Sequence, residues 1–197
     1  MRWSSVIFLT TLAAAKLNYL PRETDFNFAI TLTNADKAPF LQDAVELFLE
    51  SFRQTSEIRH RLEDGTITNN FKPDDRVIFH LISDKASFNY MKQKIKALSD
   101  QVNFSIHLEY HNESEVSKNL YDFVIPLQKH FGNHAYYNKP IFFLSVGLHR
   151  ILPESIGKIV QIDVDVKFKI SPRAIFDQFD NFKGSNVLGI VFEQQPV

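Results

Sequence analysis

The stretch Lys158-Ile-Val-Gln-Ile-Asp163-Val164-Asp165-Val-Lys-Phe168 runs an apolar segment into two carboxylates one residue apart. Ile159, Val160 and Ile162 make the approach almost continuously apolar, the pattern of a strand covered on both faces in a parallel sheet. Side chains two apart along a strand share a face, so Asp163 and Asp165 can converge on one point just past its end. A cation there would offset their mutual repulsion. Hard carboxylate oxygens suit Mg²⁺ or Mn²⁺, ions that keep positions open for substrate phosphates. An Asp-x-Asp is also compatible with a solvated turn that closes a strand. Its place at the carboxyl end of so apolar a strand favours the metal-diphosphate clamp.

Outward from this stretch, strand-like and helix-like segments alternate. Phe28-Ala-Ile-Thr-Leu-Thr33 reads as a first strand, and Phe40, Leu41, Ala44, Val45, Phe48 and Phe52 then recur at helical spacing. Arg76 to Ser83 is a second strand, followed by a helix with the apolar stripe Phe88, Met91, Ile95 and Leu98. Val102 to Tyr110 reads as a third. Val116, Leu120, Phe123, Val124, Leu127 and Phe131 continue the helical period, with Pro126 expected to break or kink it. Pro140 suits the first turn of a helix through Phe143, Val146 and Leu148. Ser171-Pro172 opens a short helix with Phe176 and Phe179, and Asn186 to Phe192 is the last strand. Such alternation predicts an α/β fold, a mostly parallel sheet flanked by helices, with ligands outside the carboxyl ends of its strands.

Composition narrows the function. The 197 residues carry a net charge of −1 and 44% hydrophobic residues, enough for one sizeable core and without a linker that would divide it. The 19 Phe fall mainly at core-like spacing, so neither a nucleic-acid charge footprint nor a base-stacking platform is evident. The absence of Cys excludes thiol nucleophiles, zinc-thiolate sites and disulfides. Arg2 followed by Val6-Ile-Phe-Leu-Thr-Thr-Leu-Ala-Ala-Ala15 looks like a short signal or anchor segment within residues 1–22, or else an ordinary buried N-terminal segment. Asn103-Phe-Ser105 and Asn112-Glu-Ser114 are acceptor sequons that matter only in a secreted chain. Only six Gly occur, with neither Gly-x-Gly-x-x-Gly after the first strand nor Gly-Lys-Ser/Thr. A diphosphate bound here would therefore need a metal more than a glycine cradle.

From Leu152-Pro-Glu through Lys158 to Phe168, the sequence resembles the signature of the family-eight retaining glycosyltransferases, and within them the xyloside xylosyltransferase branch. The likeness extends through Tyr136-Tyr137 and Ile141-Phe-Phe-Leu-Ser145, then Ile175-Phe176, Phe179-Asp180-Asn181-Phe182, Gly189-Ile190 and Gln195-Pro-Val197. The resemblance implies a GT-A fold, UDP-xylose as donor, Mn²⁺ with Mg²⁺ as the alternative, and retention of anomeric configuration. It implies acceptors bearing O-linked xylosyl-glucose on EGF-like repeats of Notch type, and a type II membrane protein of the endoplasmic reticulum. Carried over by position, Asp163 would contact the ribose or metal side of the donor, Asp165 would ligate Mn²⁺ and Val164 would offer backbone to the sugar nucleotide. Leu32-Thr33-Asn34 matches the segment that receives uracil and ribose. Many family-eight enzymes carry Tyr-x-Arg-Leu before the Asp-x-Asp strand; here Phe142-Phe143-Leu144 stands there without the arginine, which favours the xylosyltransferase branch. In that family an acceptor-binding half and a metal-completing histidine lie beyond the point matching Val197. The 197 residues therefore read as the nucleotide-sugar-binding part, residues 23–197, of such a domain, expected not to turn over alone.

Other candidates are blander. His107, Glu109 and His111 share one face of the third strand and could hold a metal or simply form a surface. Ser83-Asp84 could approach a nucleotide, with helix capping the plainer role for Asp84. His130 and His134 flank Gly132 in a loop, and Lys92-Gln-Lys-Ile-Lys96 is a solvated helix face. Three other functions stay open: a non-catalytic UDP-sugar-binding module, a family-eight hexosyltransferase with another donor, and a structural remnant whose Asp-x-Asp holds Ca²⁺ or nothing.

Overall fold

A computed structural model describes residues 8–11, 24–131, 143–184, 186 and 188–190. The strands are β1 (Phe8–Thr11), β2 (Asp25–Leu32), β3 (Arg76–Ser83), β4 (Ser105–Asn112), β5 (Lys158–Gln161) and β6 (Leu188–Ile190). The helices are α1 (Pro39–Ser56), α2 (Lys85–Ser99), α3 (Glu113–Phe131), α4 (Leu144–Gly147) and α5 (Arg173–Asp177). The six strands form one sheet in the order β4-β3-β2-β5-β1-β6. The first four run parallel, while β1 is antiparallel to both of its neighbours. The expected mostly parallel α/β sheet is what the chain forms.

Two apolar layers cover the sheet. On one face Phe28, Ile30, Leu32, Phe79, Leu81, Val160 and Ile162 pack against α1 and α2 through Phe48, Phe52, Met91, Ile95 and Leu98. On the other, Ala29, Ile82 and Ile159 meet Val116, Leu120 and Val124 of α3 together with Leu144 and Leu148. Alternation along β2 and β3 produces this division, successive side chains pointing to opposite faces. The phenylalanines are core residues, as their spacing predicts. Edge-on contacts such as Phe28–Phe176 at 5.1 Å and Phe52–Phe168 at 5.6 Å join strands, α1 and α5. Each such ring buries apolar surface worth roughly 1.5–3 kcal/mol.

The differences from expectation have local causes. The first strand begins at Asp25 because Arg76 of β3 forks onto its carboxylate, Nε to Oδ1 at 2.9 Å. The third begins at Ser105, the preceding turn being held by the Asn103 N–H, which donates to Glu57 Oε1 at 2.7 Å. The last strand covers Leu188–Ile190 among the described residues. Pro126 does not break α3, which runs unbroken from Glu113 to Phe131. The proline and Asp122, whose carbonyl loses its partner, are both exposed, so water replaces the missing N–H. Phe8–Thr11, part of the expected signal-like segment, lies as a strand between β5 and β6. No helix among the described residues is long and apolar enough to cross a membrane. Pro140 lies outside the described residues.

Candidate functional site

β5 is short, yet its ladder with β2 extends one step further: the Ile162 N–H donates to Ala29 O at 3.0 Å. Asp163, Val164 and Asp165 therefore leave the sheet at the same carboxyl edge from which Leu32, Thr33 and Asn34 leave the adjacent strand. The two sequence-predicted segments, some 130 residues apart in the chain, follow adjacent parallel strands at the same end of the sheet.

The carboxylates sit where they can meet a solvated ligand, Asp163 half-buried and Asp165 exposed. Between them Val164 turns inward and is 6% exposed in the α1–α2 layer. Four residues on, the Phe168 N–H donates to the buried Ser51 Oγ at 3.1 Å, and the Phe168 ring packs on Phe48 and Phe52. An apolar peg and a hydrogen-bonded anchor on α1 thus fix the turn and leave its carboxylates to the rim. Oxygen donors in this partly hydrated setting fit Mg²⁺ or Mn²⁺ sharing coordination with water and phosphate. Among the described residues no group of three or more His, Asp or Glu converges as a ready cage.

The 32–34 turn is held by the start of α2. Asn34 has φ 59°, the left-handed region that Asn tolerates better than most residues. Its N–H donates to Asp84 Oδ2 at 2.7 Å, and the next N–H, of Ala35, donates to Ser87 Oγ at 2.9 Å. Asp84 caps α2 at the same time, accepting from the Ser87 N–H at 2.9 Å and from the Ser87 hydroxyl at 2.7 Å. The capping role expected for Asp84 is observed, and through it the residue shapes the 32–34 turn. Burial acts on its carboxyl as the largest single influence, upward, but the donated N–H and O–H groups of Ser87, Asn34 and Ala86 together hold it below its ordinary value. Beside it the Ser83 Oγ is buried without a hydrogen-bond partner among the described residues.

His107, Glu109 and His111 do share one face of β4, and they line a separate cavity of about 320 Å³ with Asp25, Asn27, Arg76, His80 and the 153–156 loop. None of residues 32–34 or 163–165 borders it. Sequence reading missed His80, which sits in β3 beside this group. Its signal was a lone imidazole inside the otherwise apolar run from Val77 to Ile82. The side chain of His130, and the whole of Gly132 and His134, lie outside the described residues, as do Tyr136, Tyr137 and Gln195 to Val197. Lys92 and Lys96 are solvent-facing on α2, as expected.

No family model matches the chain. Xyloside xylosyltransferase 1 of mouse is 30% identical over 176 residues, which make up 88% of this chain and 42% of that protein. The human protein of the same name matches to the same extent. The crystal structure of the mouse enzyme in its apo form superposes with a TM-score of 0.61 at 28% identity, covering 81% of this chain and 50% of the other. The chain thus spans less than half the length of the curated relatives it matches. Over that span it resembles the xyloside xylosyltransferases in both sequence and fold, in keeping with the resemblance carried by Asp163-Val164-Asp165.

Proposed function

We propose that the chain is the donor-binding part of a retaining, UDP-xylose-dependent xylosyltransferase whose acceptors are O-linked xylosyl-glucose units on EGF-like repeats. The observation that carries this reading is that two rim segments follow adjacent parallel strands at their carboxyl ends. Leu32-Thr33-Asn34 ends β2, Asp163-Val164-Asp165 follows β5, and the Ile162–Ala29 hydrogen bond holds the two strands together at that edge. The likeness to xyloside xylosyltransferase 1 points to the same chemistry.

In this reading the left-handed turn at Asn34 presents backbone to uracil and ribose, and Asp84 keeps that turn in place before any ligand arrives. Val164, pegged into the core, holds Asp163 and Asp165 at a fixed height above the sheet edge. Asp163 faces the ribose or metal side of the donor, and Asp165 is the principal ligand of Mn²⁺, with Mg²⁺ as substitute. Bound there, the cation would neutralise the charge that develops on the departing diphosphate. Residues pre-set in this way add no ordering cost as the charge develops. The acceptor hydroxyl approaches from the face the diphosphate leaves, which retains configuration. The chain spans 42% of its curated relatives, and in this reading it binds donor without turning it over. The site of action is the endoplasmic reticulum lumen.

Competition binding distinguishes the donors. With Mn²⁺ present, UDP-xylose should bind at least as tightly as UDP, and UDP-glucose more weakly, because its hydroxymethyl group needs space. Equal binding of the two sugars would favour a family-eight hexosyltransferase, and detectable xylosyl transfer by the chain would overturn its assignment to donor binding alone.

A further inference from the structure

The cavity between β2, β3, β4 and the 153–156 loop is independent of the donor rim and has its own chemistry. Asn27 of β2 donates from Nδ2 to Lys158 O at 3.5 Å, which turns its Oδ1 toward His80 Nε2 at 3.0 Å. An amide oxygen only accepts, so Nε2 carries the His80 proton and Nδ1 presents a lone pair. That lone pair accepts the His111 Nε2–H, 3.2 Å away on β4, and a cation entering between the two nitrogens would move that proton to His111 Nδ1. Two imidazole nitrogens, each about 2.0–2.1 Å from a tetrahedral zinc, stand about 3.3 Å apart. A ligating histidine whose other nitrogen donates to a fixed oxygen is also the usual supporting arrangement.

We propose that His80 and His111 form an open-coordination site for a late first-row divalent cation of the Zn²⁺ type, with Asn27 as the positioning residue. Burial holds both imidazoles below their ordinary value, His80 to about 3, so at neutral pH both are in the uncharged form that binds metal. His80 is 5% exposed, while His111 opens to the cavity. The other charged groups around them come from three strands. Asp25 and Arg76 neutralise one another, and Glu109 adds a carboxylate on the same face of β4 as His111. Among the described residues no third His, Asp or Glu completes a cage. Water takes the remaining positions, which makes the ion exchangeable. Imidazole ligands select against Mg²⁺ and in favour of Zn²⁺, Co²⁺ or Ni²⁺.

Co²⁺ titration of the chain tests this, read by visible ligand-field absorption and by paramagnetic broadening of the His80 and His111 imidazole signals. One equivalent should still bind in an Asp163→Asn/Asp165→Asn variant, with broadening of both imidazoles, and that binding should weaken at least about tenfold when His111→Ala is added. His111 is at the edge of the cavity, so that variant should fold; if it does not, selective broadening of the two imidazoles in the Asp163→Asn/Asp165→Asn variant decides. An absence of binding, binding unchanged when His111→Ala is added, or broadening confined to other histidines would overturn the proposal.

Discussion

Asp84 holds Asn34 across fifty residues of sequence: one carboxylate accepts the Asn34 N–H at 2.7 Å while capping the helix that begins at Lys85. A single side chain therefore sets both the start of α2 and the left-handed turn after β2. Replacing Asp84 with Ala should cost about 1–2 kcal/mol, the usual effect of losing an N-cap, and should also weaken UDP binding. Urea unfolding gives the first quantity and calorimetry the second. Unchanged nucleotide binding in a destabilised but folded Asp84→Ala protein would show that the tether does not shape the site.

The same carboxylate gives a pH dependence of known sign. Its pKa is lower in the folded chain than its ordinary 3.8, so the unfolded chain binds the proton more readily. The stabilisation from ionised Asp84 is full well above 3.8 and is lost as pH falls through and below that value. The stability difference between the native chain and Asp84→Asn should therefore be constant from pH 5 to 8 and shrink below about pH 4. A difference that grows on acidification would contradict the assigned hydrogen bonds.

Val164 lies between the two carboxylates with its side chain in the core. Val164→Ala should destabilise by roughly 1–2 kcal/mol and loosen the turn that carries Asp163 and Asp165. Val160→Ala, in the same apolar layer but within the strand, is the control. Metal-dependent nucleotide affinity should fall in the first variant and hold in the second at comparable loss of stability.

Gly147 at the end of α4 packs directly on α3. A methyl group there would fall inside contact distance of Leu120 Cδ2, and Leu120 is fully buried with little room to yield. Gly147→Ala should cost about 1–3 kcal/mol by overpacking. Combined with Leu120→Ala the two effects should be less than additive, since the second change removes the clash. Thermal midpoints of the four proteins test this.

Much of the fold was legible where one physical pattern acted alone. The central strand Arg76–Ser83 matches its apolar run residue for residue, and the stripe of Phe88, Met91, Ile95 and Leu98 marks the buried side of α2 because helical period leaves no other face for it. The Asp163–Asp165 turn was legible because charge following a continuous apolar run is rare inside a strand. What stayed hidden depends on neighbours distant in sequence. Phe8–Thr11 is apolar enough to read as part of a signal segment, and only pairing with Lys158–Gln161 makes it a strand. His80 and His111 meet because β3 and β4 pair with Ile82 opposite His111, a register that neither strand encodes alone. The Asp84–Asn34 tether is of the same kind: the cap was readable locally, its second acceptor role was not.

Calorimetric titration of UDP and UDP-xylose into the chain, with and without Mn²⁺ and beside Asp165→Asn, tests the donor site most directly. The account predicts saturable binding that requires Mn²⁺ and weakens at least about tenfold in Asp165→Asn, since one of two carboxylate ligands is lost. Absence of binding by the folded chain, or binding indifferent to both Mn²⁺ and Asp165, would contradict it.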